Sequence, residues 1–186
     1  MTMMRRRLHP GLVQVYTGPG KGKTTAAVGQ AVRALSQKLR VCMVRFLKGD
    51  RRSGEVVFAD RLGDDLTLAI FGTDRQARGG AWWGESFTDE DREQAQAGLQ
   101  YAAQAISSGE HDVVILDEIN CAVDAGLIAP TQVLDLIEAK PEHVELILTG
   151  RGAPQAIIDR ADLVTEMGEV KHPYQRGISA RRGIEF

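Results

Sequence analysis

The feature that most constrains this chain is a glycine-rich loop between an apolar segment and a helical one. The apolar run Leu12–Tyr16 leads directly into the loop, and the segment after it, Lys23–Gln37, carries alanines and leucines at helical spacing. A strand, a glycine-rich turn and a helix in this order are the setting of a phosphate-binding loop. The residues expected to bind the phosphates of ATP are Thr17, Gly18, Pro19, Gly20, Lys21, Gly22, Lys23, Thr24 and Thr25.

The residue types in this loop suit a polyphosphate. Glycines let successive backbone N–H groups converge on an anion, and the helix N-terminus adds partial positive charge. Lys23 would reach the phosphates, and the Thr24 hydroxyl would contact a Mg²⁺ or Mn²⁺ that they hold. The spacing departs from the usual one, because Thr17 stands where the first glycine belongs and Gly18 follows it. The alternative is a turn that only joins a strand to a helix; the sequence favours nucleotide binding.

The order of apolar and helical segments predicts an α/β protein of the P-loop NTPase (RecA-like) class. We expect a mostly parallel sheet of about six strands flanked by helices, since most apolar runs are continuous. A single domain over residues 11–186 would follow a mobile arm at residues 1–10. The expected strands are Leu12–Tyr16, Val41–Leu47, Leu66–Phe71, Val113–Leu116, Val144–Leu148 and Leu163–Met167. The expected helices are Lys23–Gln37, Asp89–Ser107 (capped by Thr88 and Asp91) and Thr131–Ala139.

Composition argues against several classes of partner. The net charge of −2 gives no reason to expect nucleic acid or an anionic membrane as a partner. No apolar run approaches the roughly 20 residues of a membrane helix. The N-terminal arginines are followed by His9-Pro10, not by the apolar segment of a secretory signal. Cys42 and Cys121 are therefore expected to be reduced, buried thiols of a cytoplasmic protein.

Two acidic residues, Asp117 and Glu118, follow the apolar run Val113–Leu116. In nucleotide-binding sheets, an acid at a strand's carboxyl end beside the phosphate loop contacts Mg²⁺ or a water on it. Aspartate is also common at strand ends because it suits turns and helix caps. Given the phosphate loop, the metal role is favoured for Asp117 or Glu118, together with Thr24.

Basic and aromatic residues supply further candidates. Arg45 and Lys48 lie at the end of one expected strand and Arg151 follows another, so each is either a phosphate contact or a solvated side chain. Trp82 and Trp83 lie in a segment rich in glycine and arginine. Stacking on a flat ligand and packing beneath the loop are equally compatible with this pair.

With these motifs assembled, the sequence resembles the ATP:corrinoid adenosyltransferases of the cob(I)yrinic acid a,c-diamide type along nearly its whole length. The shortened loop within Tyr16–Ala27 is shared with that family. The other matching segments are Arg45–Gly49, Gly54-Glu55, Leu116–Asn120, Leu148–Arg151, Ala161–Met167, Val170–Pro173, Gly177–Ala180 and Gly183–Phe186. Many relatives carry a Gly-Phe-Thr-Trp segment after the third strand, which this chain lacks. Trp82, Trp83 and Phe87 are therefore candidates only for corrinoid contacts.

The resemblance implies transfer of the 5′-deoxyadenosyl group of ATP to the cobalt of a reduced corrinoid, cob(I)yrinic acid a,c-diamide or cob(I)alamin, with release of triphosphate. This reaction belongs to adenosylcobalamin biosynthesis or salvage. Lys23, Thr24 and Glu118 would be catalytic. The resemblance also implies an electron donor, such as a reduced flavin or flavoprotein, and a homodimer. Two alternatives remain: a RecA-like ATPase, and a non-catalytic carrier of a corrinoid or nucleotide.

The first prediction concerns Lys23. We expect Lys23→Ala to abolish adenosyl transfer and to leave the fold intact, because it removes a positive charge directed at the departing triphosphate. Transfer is followed by the visible spectrum of the corrinoid, and the fold by circular dichroism. Normal transfer by this variant would refute the phosphate role.

Overall fold

The computed structural model describes residues 8–49, 65–73 and 87–185, together with the isolated positions 54, 56, 57 and 59. These residues form one six-stranded sheet in which every pairing is parallel. The strands are β1 (Val13–Thr17), β2 (Val41–Phe46), β3 (Leu66–Phe71), β4 (Val113–Asp117), β5 (Glu145–Thr149) and β6 (Leu163–Glu166). The helices are α1 (Lys23–Ser36), α2 (Asp89–Ser107), α3 (Ile119–Asp124), α4 (Pro130–Ala139) and α5 (Gln155–Arg160), followed by a 3₁₀ helix (Pro173–Arg176).

The α/β class and all six expected strands are confirmed, as are the three expected helices, with ends that differ by one residue or none. The capping box that begins α2 is present: the Thr88 side chain accepts from the Asp91 N–H, and the Asp91 side chain accepts from the Thr88 N–H. Helices α3 and α5 were not expected. Each has only six residues, which is too short for a helical repeat of apolar positions to stand out.

The sheet separates two apolar clusters. Along β4, Val114 and Leu116 pack in the larger cluster with α2, α3, α4 and α5. Val113 and Ile115 point the other way, into the cluster that contains α1. This alternation follows from the two-residue period of a strand. Because both faces of β4 are buried, the strand is apolar at every position before its acidic end.

The strand order is β3-β2-β4-β5-β1-β6. Strand β5 lies between β1 and β4, so the phosphate loop after β1 and the acids after β4 are one strand apart at the same edge of the sheet. Ligands of open parallel sheets bind outside the carboxyl ends of the strands. The topology therefore places the candidate residues of three loops at one location.

The edges of the sheet differ from its centre. Strands β2, β4 and β5 are buried at every residue, whereas each residue of β6 is exposed. Cys42 and Cys121 are free and buried, as expected, and burial raises the pKa of Cys42 to about 12. No helix within the described residues is long and apolar enough to cross a membrane. Residues 1–7 of the expected arm lie outside the described residues, while Leu8 packs against the α1 cluster.

Two helical glycines give a matched test of the packing. A Cβ at Gly98 in α2 would lie 2.8 Å from the ring of Phe46 and 3.0 Å from Phe71, but a Cβ at Gly29 in α1 would meet nothing within 4 Å. Alanine is favoured over glycine inside a helix by about 1 kcal/mol. We expect Gly29→Ala to raise the melting temperature and Gly98→Ala to lower it, as measured by thermal unfolding. An equal rise for both variants would contradict close packing of α2 on the sheet.

Candidate active site

The phosphate loop needs glycine at two positions and is packed against the end of β6. Gly18 and Gly22 have φ values of 93° and 126°, a region that side chains with a Cβ rarely adopt. The Gly20 N–H donates to Met167 O at 2.7 Å, and the Met167 N–H donates to Thr17 O at 2.9 Å. A Cβ at Gly20 would lie 2.6 Å from the Gly168 carbonyl oxygen. The loop is thus supported along its length by the residues that follow β6.

The Lys23 ammonium is directed back onto the loop that precedes it. Its Nζ donates to the carbonyl oxygens of Gly18 and Gly20, each at 2.7 Å, and the residue is buried. Burial lowers the pKa of Lys23 below its ordinary value, and the Glu118 carboxylate offsets only part of that effect. The loop and its cation therefore form one unit at the N-terminus of α1.

Asp117 connects the phosphate loop to the centre of the sheet. Its Oδ1 accepts hydrogen bonds from Thr24 Oγ1 at 2.8 Å and from Thr149 Oγ1 at 2.7 Å. Its Oδ2 lies 3.7 Å from Arg45 Nε, and both side chains are buried. The strand register pairs Arg45 directly with Asp117. The ends of β2, β4 and β5 and the start of α1 thus meet at one carboxylate.

Thr24 and Asp117 offer oxygen atoms only, which suits a hard cation such as Mg²⁺. Their oxygens are close enough to share a cation or a water bound to it. In the described part of the chain, no group of three or more His, Cys, Asp or Glu side chains could hold a metal ion by itself. A cation here would need phosphate oxygens and water to complete its coordination.

Glu118 is held by three neighbouring groups. Its Oε1 lies 2.7 Å from Lys48 Nζ, its Oε2 accepts from Cys121 Sγ, and its N–H donates to Thr149 Oγ1 at 3.0 Å. Burial alone raises the pKa of Glu118, but the charge of Lys48 and these side-chain hydrogen bonds outweigh it, so the net shift is downward. Burial alone lowers the pKa of Lys48, but Asp117 and Glu118 outweigh it and raise the pKa. The pair is an ion pair.

Arg151 and Lys21 lie at the margin of this cluster. The Arg151 N–H donates to Cys121 Sγ at 3.1 Å, and its side chain is exposed. The Arg151 charge also contributes to the lowered pKa of Lys23, which places it in the electrostatic environment of the loop. Lys21 Nζ instead donates to Ile184 O at 3.0 Å and lies 3.7 Å from Glu185. The phosphate loop therefore contacts the C-terminal segment as well as β6.

The structure brings together most of the residues singled out from the sequence. Thr24 and Asp117 are in direct contact, and Arg45 and Glu118 adjoin them through the contacts above. Thr17 Oγ1 accepts from the Ala153 N–H at 3.4 Å. Pro19 and Thr25 are exposed on the loop and the first turn of α1.

Of the three aromatic candidates, Phe87 is among the described residues. Trp82 and Trp83 lie outside the described residues. Phe87 is described, and it packs as a partly buried side chain against the larger apolar cluster. The structure thus adds a packing contact for Phe87 and leaves the roles of the two tryptophans as predictions.

Three residues of this site were not recognised from the sequence as part of it. Thr149 donates a hydrogen bond to Asp117, and Cys121 donates one to Glu118. Lys48, for which the sequence left open a phosphate contact or a solvated side chain, forms an ion pair with Glu118. A hydroxyl at the end of the strand next to β1 was a usable signal for Thr149. Nothing in the sequence pairs Lys48 with Glu118. Asn120 is fully buried, and its amide has no hydrogen-bond partner among the described residues.

A glycine-rich loop between β1 and α1, bonded through its threonine to an acid at the end of β4, defines a nucleotide-binding protein of the P-loop class. The family model described as ATP:corrinoid adenosyltransferase BtuR/CobO/CobP matches residues 9–186. The chain belongs to this family.

Individual relatives agree with the family match. The chain is 36% identical over 176 residues to a corrinoid adenosyltransferase of Pseudomonas aeruginosa, covering 95% of this chain and 84% of that protein. It is 35% identical over 178 residues to a corrinoid adenosyltransferase of Sinorhizobium sp, covering 95% and 80%. It is 33% identical over 176 residues to the corrinoid adenosyltransferase CobA of Salmonella typhimurium, covering 95% and 86%.

Thr149 provides a test of the contacts around Asp117. We expect Thr149→Val to lower the free energy of unfolding by about 1–3 kcal/mol, because it removes one of the two hydroxyl donors to the buried Asp117 and leaves the Glu118 N–H without its acceptor. Urea denaturation measures the change. Thr149→Ser keeps the hydroxyl and should retain most of the stability. A valine variant as stable as the original protein would show that the hydroxyl makes no net contribution.

Proposed function

We propose that this protein transfers the 5′-deoxyadenosyl group of ATP to the cobalt of a reduced corrinoid, through the site at the carboxyl ends of β1, β2, β4 and β5. The observation that carries the proposal is the 2.8 Å contact between Thr24 Oγ1 and Asp117 Oδ1. It joins the phosphate loop to the acid expected to act with it. The family match supplies the reaction class.

Each residue of the site has a proposed role. The backbone N–H groups of Gly18–Thr25 and the side chains of Lys21 and Lys23 stabilise the triphosphate. Arg45 and Arg151 bring further positive charge to the same edge of the sheet. Their common effect is to favour negative charge that accumulates on the leaving group.

The reaction would form a cobalt–carbon bond and break the C5′–O bond of ATP. Cobalt(I) provides both electrons of the new bond and becomes cobalt(III), while the electrons of the broken bond leave with triphosphate. The protein need not remove a proton, since the nucleophile is the metal of the substrate. Its contribution is to hold the cobalt in line with C5′ and to stabilise the departing charge.

A divalent cation fits this scheme. Thr24, Asp117 and Glu118 would hold Mg²⁺ or Mn²⁺, which would supply positive charge to the phosphate oxygens. Thr149 and Arg45 would keep the Asp117 carboxylate in place for this purpose. Glu118 is correspondingly oriented by Lys48 and Cys121.

The acceptor is proposed to be cob(I)yrinic acid a,c-diamide or cob(I)alamin, in biosynthesis or salvage of adenosylcobalamin. Trp82 and Trp83 are proposed to contact it, since aromatic rings stack on flat ligands. Cobalt(I) requires an electron donor, for which a reduced flavin or flavoprotein is suited, and a reducing compartment, which favours the cytoplasm. A homodimer is proposed from the family resemblance.

The experiment is anaerobic incubation of the protein with ATP, Mg²⁺ and chemically reduced corrinoid. We expect a light-sensitive alkylcobalt spectrum and one equivalent of inorganic triphosphate. Orthophosphate without an alkylcobalt product would indicate an ATPase, and tight binding without either product would indicate a carrier. Running cobyrinic acid a,c-diamide and cobalamin in parallel identifies the acceptor by the larger kcat/KM.

A matched pair of variants tests the site in the same assay. We expect Asp117→Asn to lower kcat at least about a hundredfold, because it weakens the contact with Thr24 and with a bound cation. Asp135 is an exposed residue of α4, and Asp135→Asn should leave the rate unchanged. Equal rates for the two variants would show that the reaction does not depend on this site.

A further inference from the structure

We propose that Lys48 is a built-in counter-ion for the acidic pair Asp117 and Glu118, which keeps a free divalent cation out of the site until a nucleotide brings its own negative charge. Lys48 would thus act as a positioning residue, through Glu118. The inference rests on the proposed function, since it assumes that the acids serve a metal–nucleotide complex.

The backbone around Lys48 is built to hold its side chain at this place. The Leu47 N–H donates to Phe71 O at 2.9 Å, and the Lys48 N–H donates to Phe46 O at 2.8 Å. A Cβ at Gly72 would lie 2.7 Å from the Lys48 nitrogen, so the ends of β2 and β3 are in close contact. Lys48 is therefore not on a free loop, and its side chain is only 27% exposed.

Two residues at the ion pair have unfavourable backbone conformations. Leu47, which precedes Lys48, and Glu118 itself both have φ of 65°. This left-handed region is unfavourable for a residue that carries a Cβ. Such conformations persist where the surrounding structure requires them, and they concentrate at functional sites. One of these residues precedes Lys48 and the other is its partner in the 2.7 Å pair.

The charges explain what the pair would do. Lys23, Arg45 and Lys48 provide three positive charges around the two negative charges of Asp117 and Glu118. A free Mg²⁺ would therefore enter a site whose carboxylates are already compensated. A magnesium–triphosphate complex carries net negative charge, so it is attracted by the same set of residues. The arrangement selects the complex over the free ion.

Removing the charge of Lys48 should reverse that selection. In Lys48→Met or Lys48→Gln, one carboxylate loses its counter-ion, and a divalent cation can take the place of the ammonium. At an effective dielectric constant of about 20, one charge within about 10 Å of a divalent ion changes affinity by more than a factor of ten. Glutamine keeps a hydrogen-bond donor for Glu118, which guards against loss of the fold.

The experiment measures binding of Mn²⁺ without nucleotide, from the electron paramagnetic resonance signal of the free aquo ion. We expect weak binding by the original protein and at least about tenfold tighter binding by Lys48→Met and Lys48→Gln. Lys48→Arg should restore weak binding because it restores the charge. Lys38 is an exposed lysine, and Lys38→Met should behave like the original protein.

Tight Mn²⁺ binding by the original protein, or no gain in the folded Lys48→Gln variant, would overturn the inference. The gain should disappear when Asp117→Asn is combined with Lys48→Gln, and a gain that persisted would place the ion elsewhere and equally overturn it. Adenosyl transfer by the original protein is assayed separately. If the original protein transfers the adenosyl group normally and the Lys48 variants gain no Mn²⁺ affinity, the counter-ion role is rejected and the proposed function is retained. If the original protein does not transfer the group, the proposed function itself is rejected.

Discussion

The buried Asp117 carboxylate is the contact on which the arrangement of the site depends. It accepts hydrogen bonds from Thr24 at the start of α1 and from Thr149 at the end of β5, and it faces Arg45 at the end of β2. A charge removed from water is stable only when it is paired and hydrogen-bonded. Satisfying this one group therefore fixes the positions of three strand ends and of the helix that carries the phosphate loop.

The phosphate loop is supported from its other side by the edge of the sheet. The Gly20 N–H donates to Met167 O, and the Met167 N–H donates to Thr17 O. At Gly18 and Gly20 the residues after β6 lie so close to the loop that a Cβ would not fit. Lys21 adds a contact with the C-terminal segment. An exposed edge strand of four residues is thus important for shaping the loop, although it contributes little to the apolar core.

Much of the fold was predictable because its signals are local. Continuous apolar runs marked the buried strands, and the Thr88 capping box marked the start of α2. The phosphate loop was equally readable, since glycine and lysine spacing reflects the backbone shape that an anion requires. The six-residue helices α3 and α5 were missed, because their positions depend on packing against the sheet and not on a sequence period.

The strands, the phosphate loop and the acid after β4 could be predicted without the structure, because each is encoded within a few neighbouring residues. Which of these residues meet depends on how the distant parts of the chain pack together. Thr149 and Asp117 are separated by 32 positions, and Lys48 and Glu118 lie on different strand ends. Their contacts follow from a strand order in which β5 lies between β1 and β4, with β2 on the other side of β4. Strand order is set by burial of the whole sheet, which no local pattern records.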